Sequence, residues 1–302
     1  MKTILGDVPE QELGVFLCHE HICCYSEYLY TMAGSGYLDK ERLLQTAVSY
    51  LKEMKETHGL GTLIDCTPVN IGRDPELLKA VSAQSGVHIV CATGFYYTEE
   101  PLLASFDAYR LVDAIVTDAR NINAGIIKCA VEQEQLRPIH EKLLKACAGA
   151  QLQLGIPILL HTNANNRNGQ KAVEILLEAG VSPQSITVGP LRDTGDLDYI
   201  RSFAEKGCFI GFDRLYAQAS ENYVNGTVAK IMDLWDRGYG AQILLSHDAL
   251  FFNGFEADPA IREKPRFSYC FDHILPRLPQ EVARKIMQEN PVAMLKCELP
   301  IQ

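Results

Sequence analysis

The sequence predicts an α/β fold of the (β/α)8 TIM-barrel class, and three observations carry that expectation. Eight short apolar runs recur along the chain, at 14–21, 62–67, 88–94, 125–131, 156–162, 185–189, 208–213 and 242–248. They are continuous in Val, Ile and Leu rather than alternating, as strands covered on both faces of a parallel sheet are. Stretches with helical apolar spacing lie between most of them, so strand and helix alternate. The count is eight and no Gly-x-Gly-x-x-Gly follows the first run, which favours a closed barrel over an open doubly wound sheet.

The first strand ends in His19-Glu20-His21 and is followed by a helix over 40–58. Gly59-Leu60-Gly61 turns the chain into strand two, with a helix over 75–84 behind it. Strand three precedes a helix over 103–120, and strand four one over 137–153. Leu154-Gly155-Ile156-Pro157 introduces strand five, and a helix over 170–178 ends before Gly180-Val181-Ser182-Pro183 and strand six. A helix over 197–206 leads to strand seven, and another over 224–237 reaches Arg237-Gly238-Tyr239-Gly240 before strand eight. Glycine and proline mark these turns because they supply φ values or rigidity that other residues do not. A long loop rich in Gly, Pro and aromatic residues is expected over 251–266, with Phe251, Phe252 and Phe255 beside Asn253 either walling the pocket or making dimer contacts, and a last helix over 279–288.

One domain is expected over 1–302, since no low-complexity linker or repeat divides the chain. With 28 Lys and Arg against 38 Asp and Glu, the net charge of −10 argues against a nucleic-acid partner. The composition, 47% hydrophobic and 22% charged, is that of an ordinary globular protein. No apolar run is long enough to span a membrane, and charge and proline interrupt the N-terminus, so a cytoplasmic location is expected. The ten cysteines are scattered, mostly in apolar runs, and form no Cys-x-x-Cys; reduced, buried thiols are expected.

Barrel chemistry sits at the C-terminal ends of the strands, and the polar residues there are selective. His19 and His21 point to one side of strand one and Glu20 to the other. Strand four carries Lys128 within Gly125-Ile126-Ile127-Lys128-Cys129-Ala130, where an ammonium is costly unless neutralised, modified or paired, or unless its stem reaches water. Strand five ends in His161, and strand eight in Ser246-His247-Asp248, whose aspartate can bind a metal and take a proton, or cap a helix. Taken singly, each has a structural explanation. Together, His19, His21, Lys128, His161 and Asp248 suit divalent ions such as zinc, manganese or iron, and two such ions can share a hydroxide that attacks an ester or phosphoryl centre.

These residues occur within Leu17-Cys18-His19-Glu20-His21, Ala92-Thr93-Gly94-Phe95-Tyr96-Tyr97, Ala124-Gly125-Ile126-Ile127-Lys128, His161-Thr162, Asp193-Thr194-Gly195-Asp196-Leu197-Asp198-Tyr199, Gly211-Phe212-Asp213-Arg214, Leu245-Ser246-His247-Asp248 and Glu289-Asn290-Pro291. In order and spacing they resemble the phosphotriesterase-like branch of the amidohydrolase superfamily, including its lactonases and phosphotriesterase homology proteins, over nearly the whole chain. The resemblance implies that His19, His21 and Asp248 hold a buried metal, zinc first among the alternatives, and that Lys128 is N6-carboxylated and bridges to a second ion. It also implies that His161 binds that second ion, and that Asp248 is catalytic, orienting the nucleophile and receiving its proton. Tyr97 and Arg214 would face a small-molecule lactone or ester substrate, and the chain would form a homodimer.

One departure stands out. Where the family has Gly-His at the end of strand six, this chain reads Gly189-Pro190, so the second ion loses a ligand while the following Asp193-Thr194-Gly195-Asp196 keeps the register. Asn163, Asp193 or His247 are the nearby candidates to compensate. The expected function is a metal-dependent lactonase or carboxylic esterase with a weakened second site and one or two ions per chain. Phosphotriesters are a less favoured substrate, and amide or deacetylase chemistry stays open. The alternatives are a binding or regulatory barrel that has lost hydrolysis, for which Pro190 is the sole support, and a one-metal lyase or isomerase, which nothing in the sequence selects.

Overall fold

Nine parallel strands form the main sheet of the computed structural model, which describes residues 1–97, 101–215, 220–256 and 267–298. A small antiparallel hairpin, β1 (Lys2–Thr3) and β2 (Gly6–Asp7), precedes it. The barrel then runs β3 (Val15–Cys24), α1 (Glu27–Ala33), α2 (Lys40–His58), β4 (Leu60–Asp65), α3 (Pro75–Ser85), β5 (His88–Gly94) and α4 (Ala108–Ile122). It continues with β6 (Ile126–Val131), α5 (Pro138–Leu154), β7 (Ile158–Thr162), α6 (Asn168–Glu178), β8 (Ile186–Gly189), α7 (Leu197–Lys206), β9 (Phe209–Phe212), α8 (Glu221–Leu234), β10 (Ile243–Leu245) and β11 (Ala249–Asn253).

The sheet order is β10-β9-β8-β7-β6-β5-β4-β3-β11, so the two edge strands are consecutive in the chain. Residues 246–248 join them: Ser246 N donates to Phe212 O at 3.2 Å on one side, and Asp248 N to His19 O at 2.9 Å on the other. The sheet therefore curls until its edges meet, as the eight-fold alternation predicts.

Strand eight is nevertheless broken, not continuous over 242–248 as expected. The Glu20 carboxylate, on the face of β3 opposite the two histidines, takes the hydrogen bonds of that segment. It accepts from Ser246 Oγ at 2.7 Å, His247 N at 2.9 Å, His247 Nδ1 at 2.7 Å and Ala249 N at 2.9 Å. Asp248 adopts φ 53°, a left-handed conformation that costs a non-glycine residue roughly 1 kcal/mol or more and interrupts pairing. Pairing resumes in β11, so Phe251, Phe252 and Asn253 belong to a strand rather than to the expected loop. Of that loop, 257–266 lie outside the described residues.

Helix boundaries follow their caps. Asp39, Asp74 and Asp107 accept hydrogen bonds from the backbone of Arg42, Leu77 and Arg110, each worth about 1 kcal/mol. Asp107 accordingly starts α4 at Ala108 instead of 103, and Ser220 starts α8 at Glu221 instead of 224. The last helical run extends past the expected 279–288, through Asn290–Leu295.

Alternate strand residues fall into two apolar sets. Ile64, Val90, Ala92, Ile126, Leu159, Phe209 and Leu244 pack within the barrel. Leu63, Ile89, Ile127, Leu160 and Ile210 pack outward under the helices. Ile126 and Leu159 thereby share their inward face with Lys128 and His161, two residues further along. Of the ten cysteines, none is paired and nine are buried, as small apolar fillers. Among the described residues no helix is long and apolar enough to cross a membrane.

Candidate metal centre

All five candidate ligands converge at the C-terminal mouth of the barrel. His19 and His21 come from β3, Lys128 from β6, His161 from β7, and Asp248 from the break between β10 and β11. Lys128 is wholly buried, so its stem does not reach water, and its Nζ lies 2.6 Å from His19 Nε2. Asp248 Oδ1 stands 3.1 Å from His21 Nε2 and 3.5 Å from His19 Nε2, and it caps no helix.

Each histidine is oriented by an oxygen. His19 Nδ1 pairs with Asp213 Oδ2 at 2.8 Å, and His21 Nδ1 with Thr67 Oγ1 at 2.8 Å, which leaves both Nε2 atoms facing the centre. His161 is turned the other way: Nε2 lies 3.3 Å from Glu132 Oε2, while Nδ1 is buried without a hydrogen-bond partner. Asp213 reaches His19 because position 189 is glycine; a Cβ there would sit 2.5 Å from its Oδ2.

Electrostatics act on the members of the group in different directions. Burial opposes ionisation of Asp248, yet His19, His21 and His161 together hold its carboxyl well below the usual range. Burial lowers His161 to about 4, so it is a neutral imidazole. Burial also depresses His19, with the Lys128 charge adding to it. Asp213 is pushed up to about 7, by burial first and then by Asp248. For His21, burial works downward, but Cys24 and Asp248 raise it to about 10.

The donor set fits a divalent ion. Ligand atoms of His19, His161 and Asp248 all lie within 4.8 Å of one another, a group no others match among the described residues. His161 Nδ1 is a buried polar atom without a hydrogen-bond partner, the kind of atom a bound ion satisfies.

At strand six, Pro190 follows β8 and offers no donor. None of the three candidates takes its place as a ligand. His247 has both nitrogens engaged elsewhere, Nδ1 with Glu20 Oε1 at 2.7 Å and Nε2 accepting from Cys270 N at 3.0 Å. Asp193 pairs with Arg214 Nη1 at 3.2 Å. Asn163 donates to Glu132 Oε1 at 3.1 Å.

Arg214, at φ 60°, also places Nε 3.2 Å from Asp248 Oδ2 and Nη2 3.3 Å from His161 Nε2. Its backbone is held by Tyr223, whose hydroxyl donates to Arg214 O at 2.6 Å. Lys230 fixes the facing loop by donating to Arg192 O at 2.7 Å and Thr194 O at 2.5 Å.

A cavity of about 470 Å³ opens over the centre, lined by Tyr96, Tyr97, Arg214, Leu250, Asn253 and Phe255 among others. Tyr97 and Arg214 line it, and so do Asn253 and Phe255. Phe251 and Phe252 do not: they are buried behind it, Phe251 against Tyr50 and Phe267, and Phe252 against Tyr37.

Sequence reasoning passed over Thr67, Tyr96, Glu132 and Asp213 as parts of the site. Asp213 carries a signal, an acid at a strand end, and Tyr96 neighbours Tyr97. Nothing in the spacing marks Thr67 or Glu132, which act by touching histidines distant in the chain.

Residues 1–296 match the Phosphotriesterase family. The chain is 31% identical to "Aryldialkylphosphatase" of Saccharolobus solfataricus, over 94% of this chain and 95% of that one. It is 28% identical to "Phosphotriesterase homology protein" of Mycobacterium tuberculosis, over 96% of each. It is 26% identical to "N-acetyltaurine hydrolase" of Homo sapiens, again over 96% of each. Its chemistry is therefore that of metal-dependent hydrolysis of a small molecule, and the chain belongs to the phosphotriesterase family.

Proposed function

We propose that the chain is a single-domain hydrolase, 1–302, that cleaves the carboxylic ester bond of a lactone or simple ester. The observation that carries this reading is the cluster of His19, His161 and Asp248, whose ligand atoms lie within 4.8 Å of one another, with His21 against Asp248 and the buried Lys128 against His19. His19, His21 and Asp248 would hold one divalent ion, for which zinc is the first choice and manganese or iron the alternatives. Lys128 as its N6-carbamate, together with His161, would hold a weaker second ion, since Pro190 supplies no ligand. Carboxylation turns a buried cation that repels metals into a carboxylate that binds them.

When bound, the ions supply Lewis acidity toward the carbonyl and lower the pKa of a water. The protein's own groups do the rest. Asp248, ionised and fixed through its Oδ1 by His21, orients that water and accepts its proton. Arg214 steadies the other Asp248 oxygen and presents a cation to the pocket wall. Tyr96, Tyr97, Leu250 and Phe255 shield the reacting bond and favour a partly apolar substrate. Homodimerisation and a cytoplasmic location belong to the same reading.

The relatives called "N-acetyltaurine hydrolase" support a second reading, amide cleavage by the same groups. A non-catalytic binding role is disfavoured, because loss of function would have released more than the one ligand at position 190. The test is hydrolysis of a panel of lactones, esters, amides and phosphotriesters with added zinc or manganese. Metal-dependent turnover strongest on lactones or esters is expected; no turnover by folded, metal-supplemented protein rejects the enzyme.

A further inference from the structure

His161 differs from the other two histidines in which nitrogen is held by an oxygen away from the cluster. In His19 and His21 the Nδ1 atom has the oxygen partner; in His161 it is Nε2. A neutral imidazole carries one proton, so two arrangements compete. With the proton on Nδ1, a buried N–H has no acceptor, and the Nε2 lone pair accepts from Arg214 Nη2 but faces the Glu132 carboxylate. With the proton on Nε2, a charge-assisted hydrogen bond forms to Glu132, and the buried Nδ1 lone pair is left bare.

We propose that Glu132 is a positioning residue that locks His161 as its Nε2–H tautomer, so that Nδ1 is ready to bind the exposed ion. This rests on the reading of His161 as a ligand. Glu132 is built for the task. Its Oε1 accepts from Asn163 Nδ2 at 3.1 Å, which aims Oε2 at the ring, and its backbone carbonyl accepts from Asn166 Nδ2 at 3.0 Å. Arg214 Nη2, 3.3 Å from the same Nε2, competes with Glu132 for this nitrogen, since it can donate there only when the proton sits on Nδ1. The role weighs more in this chain than it would beside a complete ligand set. With Pro190 at strand six, His161 is the one unmodified side chain from the expected set left for that ion, so a rotated or wrongly protonated ring removes it.

The experiment is ring nitrogen NMR of metal-free protein labelled in histidine, with the His161 signals assigned from His161→Asn. Wild type is expected to show His161 protonated at Nε2. Glu132→Leu should give a mixture of tautomers and weaken binding of the second zinc ion by about 10–100-fold, the usual effect of losing such a partner. Glu132→Gln, whose carbonyl can still accept, should keep the tautomer, and it serves equally if the leucine variant does not fold. Nδ1 protonation in wild type, or an unchanged tautomer in Glu132→Leu, overturns the proposal. An Nε2–H ring in a protein that takes up no second zinc ion would uphold the role of Glu132 and reject His161 as a ligand.

Discussion

Glu20→Gln is the perturbation that links fold to site most tightly. Glu20 is fully buried, and its two oxygens accept from Ser246 Oγ, His247 N, His247 Nδ1 and Ala249 N. These bonds hold the break that presents Asp248. An amide keeps one oxygen for the first three donors but turns an NH2 toward a donor, or the reverse if flipped, so at least one buried N–H is orphaned. An orphaned buried donor costs about 1–3 kcal/mol, and replacing charge-assisted bonds by neutral ones adds about 1 kcal/mol for each of two or three bonds. The sum is roughly 3–6 kcal/mol, which for a chain of this size lowers Tm by roughly 5–9 °C. Calorimetry of the metal-free proteins measures it. Isothermal titration with zinc should show weaker binding as well, because Asp248 loses its fixed position. A variant that melts within about 1 °C of wild type and binds zinc equally would refute this account of the break.

Four further outcomes are expected. Asp248→Asn should lower kcat/KM by at least about 100-fold, as loss of a general base does, in assays saturated with metal; a smaller loss would remove Asp248 from the proton-accepting role. Pro190→His should tighten the second ion; orienting partners alone are worth about 10–100-fold, so a direct ligand should give at least that by titration. Equal affinity would mean that position 190 does not face the ion. Lys128→Met should abolish the dependence of metal content on bicarbonate that wild type is expected to show, read by elemental analysis. Phe255→Ala should change KM with little loss of stability, whereas Phe251→Ala should cost about 3–5 kcal/mol in unfolding experiments and leave KM alone. The opposite pattern would restore Phe251 to the pocket wall.

The barrel was legible because buried parallel strands and helices leave different apolar periods, and both are local. Ile126 with Lys128 and Leu159 with His161 show the same property serving function: inward residues change from apolar to polar where a strand reaches the mouth. The broken eighth strand was not legible, because its cause is a carboxylate 226 residues away in the chain. Phe251 and Phe252 were misplaced for that reason, since a run after a supposed strand end reads as loop. The ligand candidates stood out by chemical type at strand ends. Two of their partners did not, because Thr67 and Glu132 touch the histidines through contacts that only the closed sheet creates.

Metal content per chain, on protein purified without chelators in buffer containing bicarbonate, tests the central claim most directly. One tightly held ion is expected, with a second taken up only when zinc or manganese is added in excess, and both lost in Asp248→Ala. No bound ion, even after incubation with either metal, would contradict the assignment of this cluster as a metal centre and the hydrolase built on it.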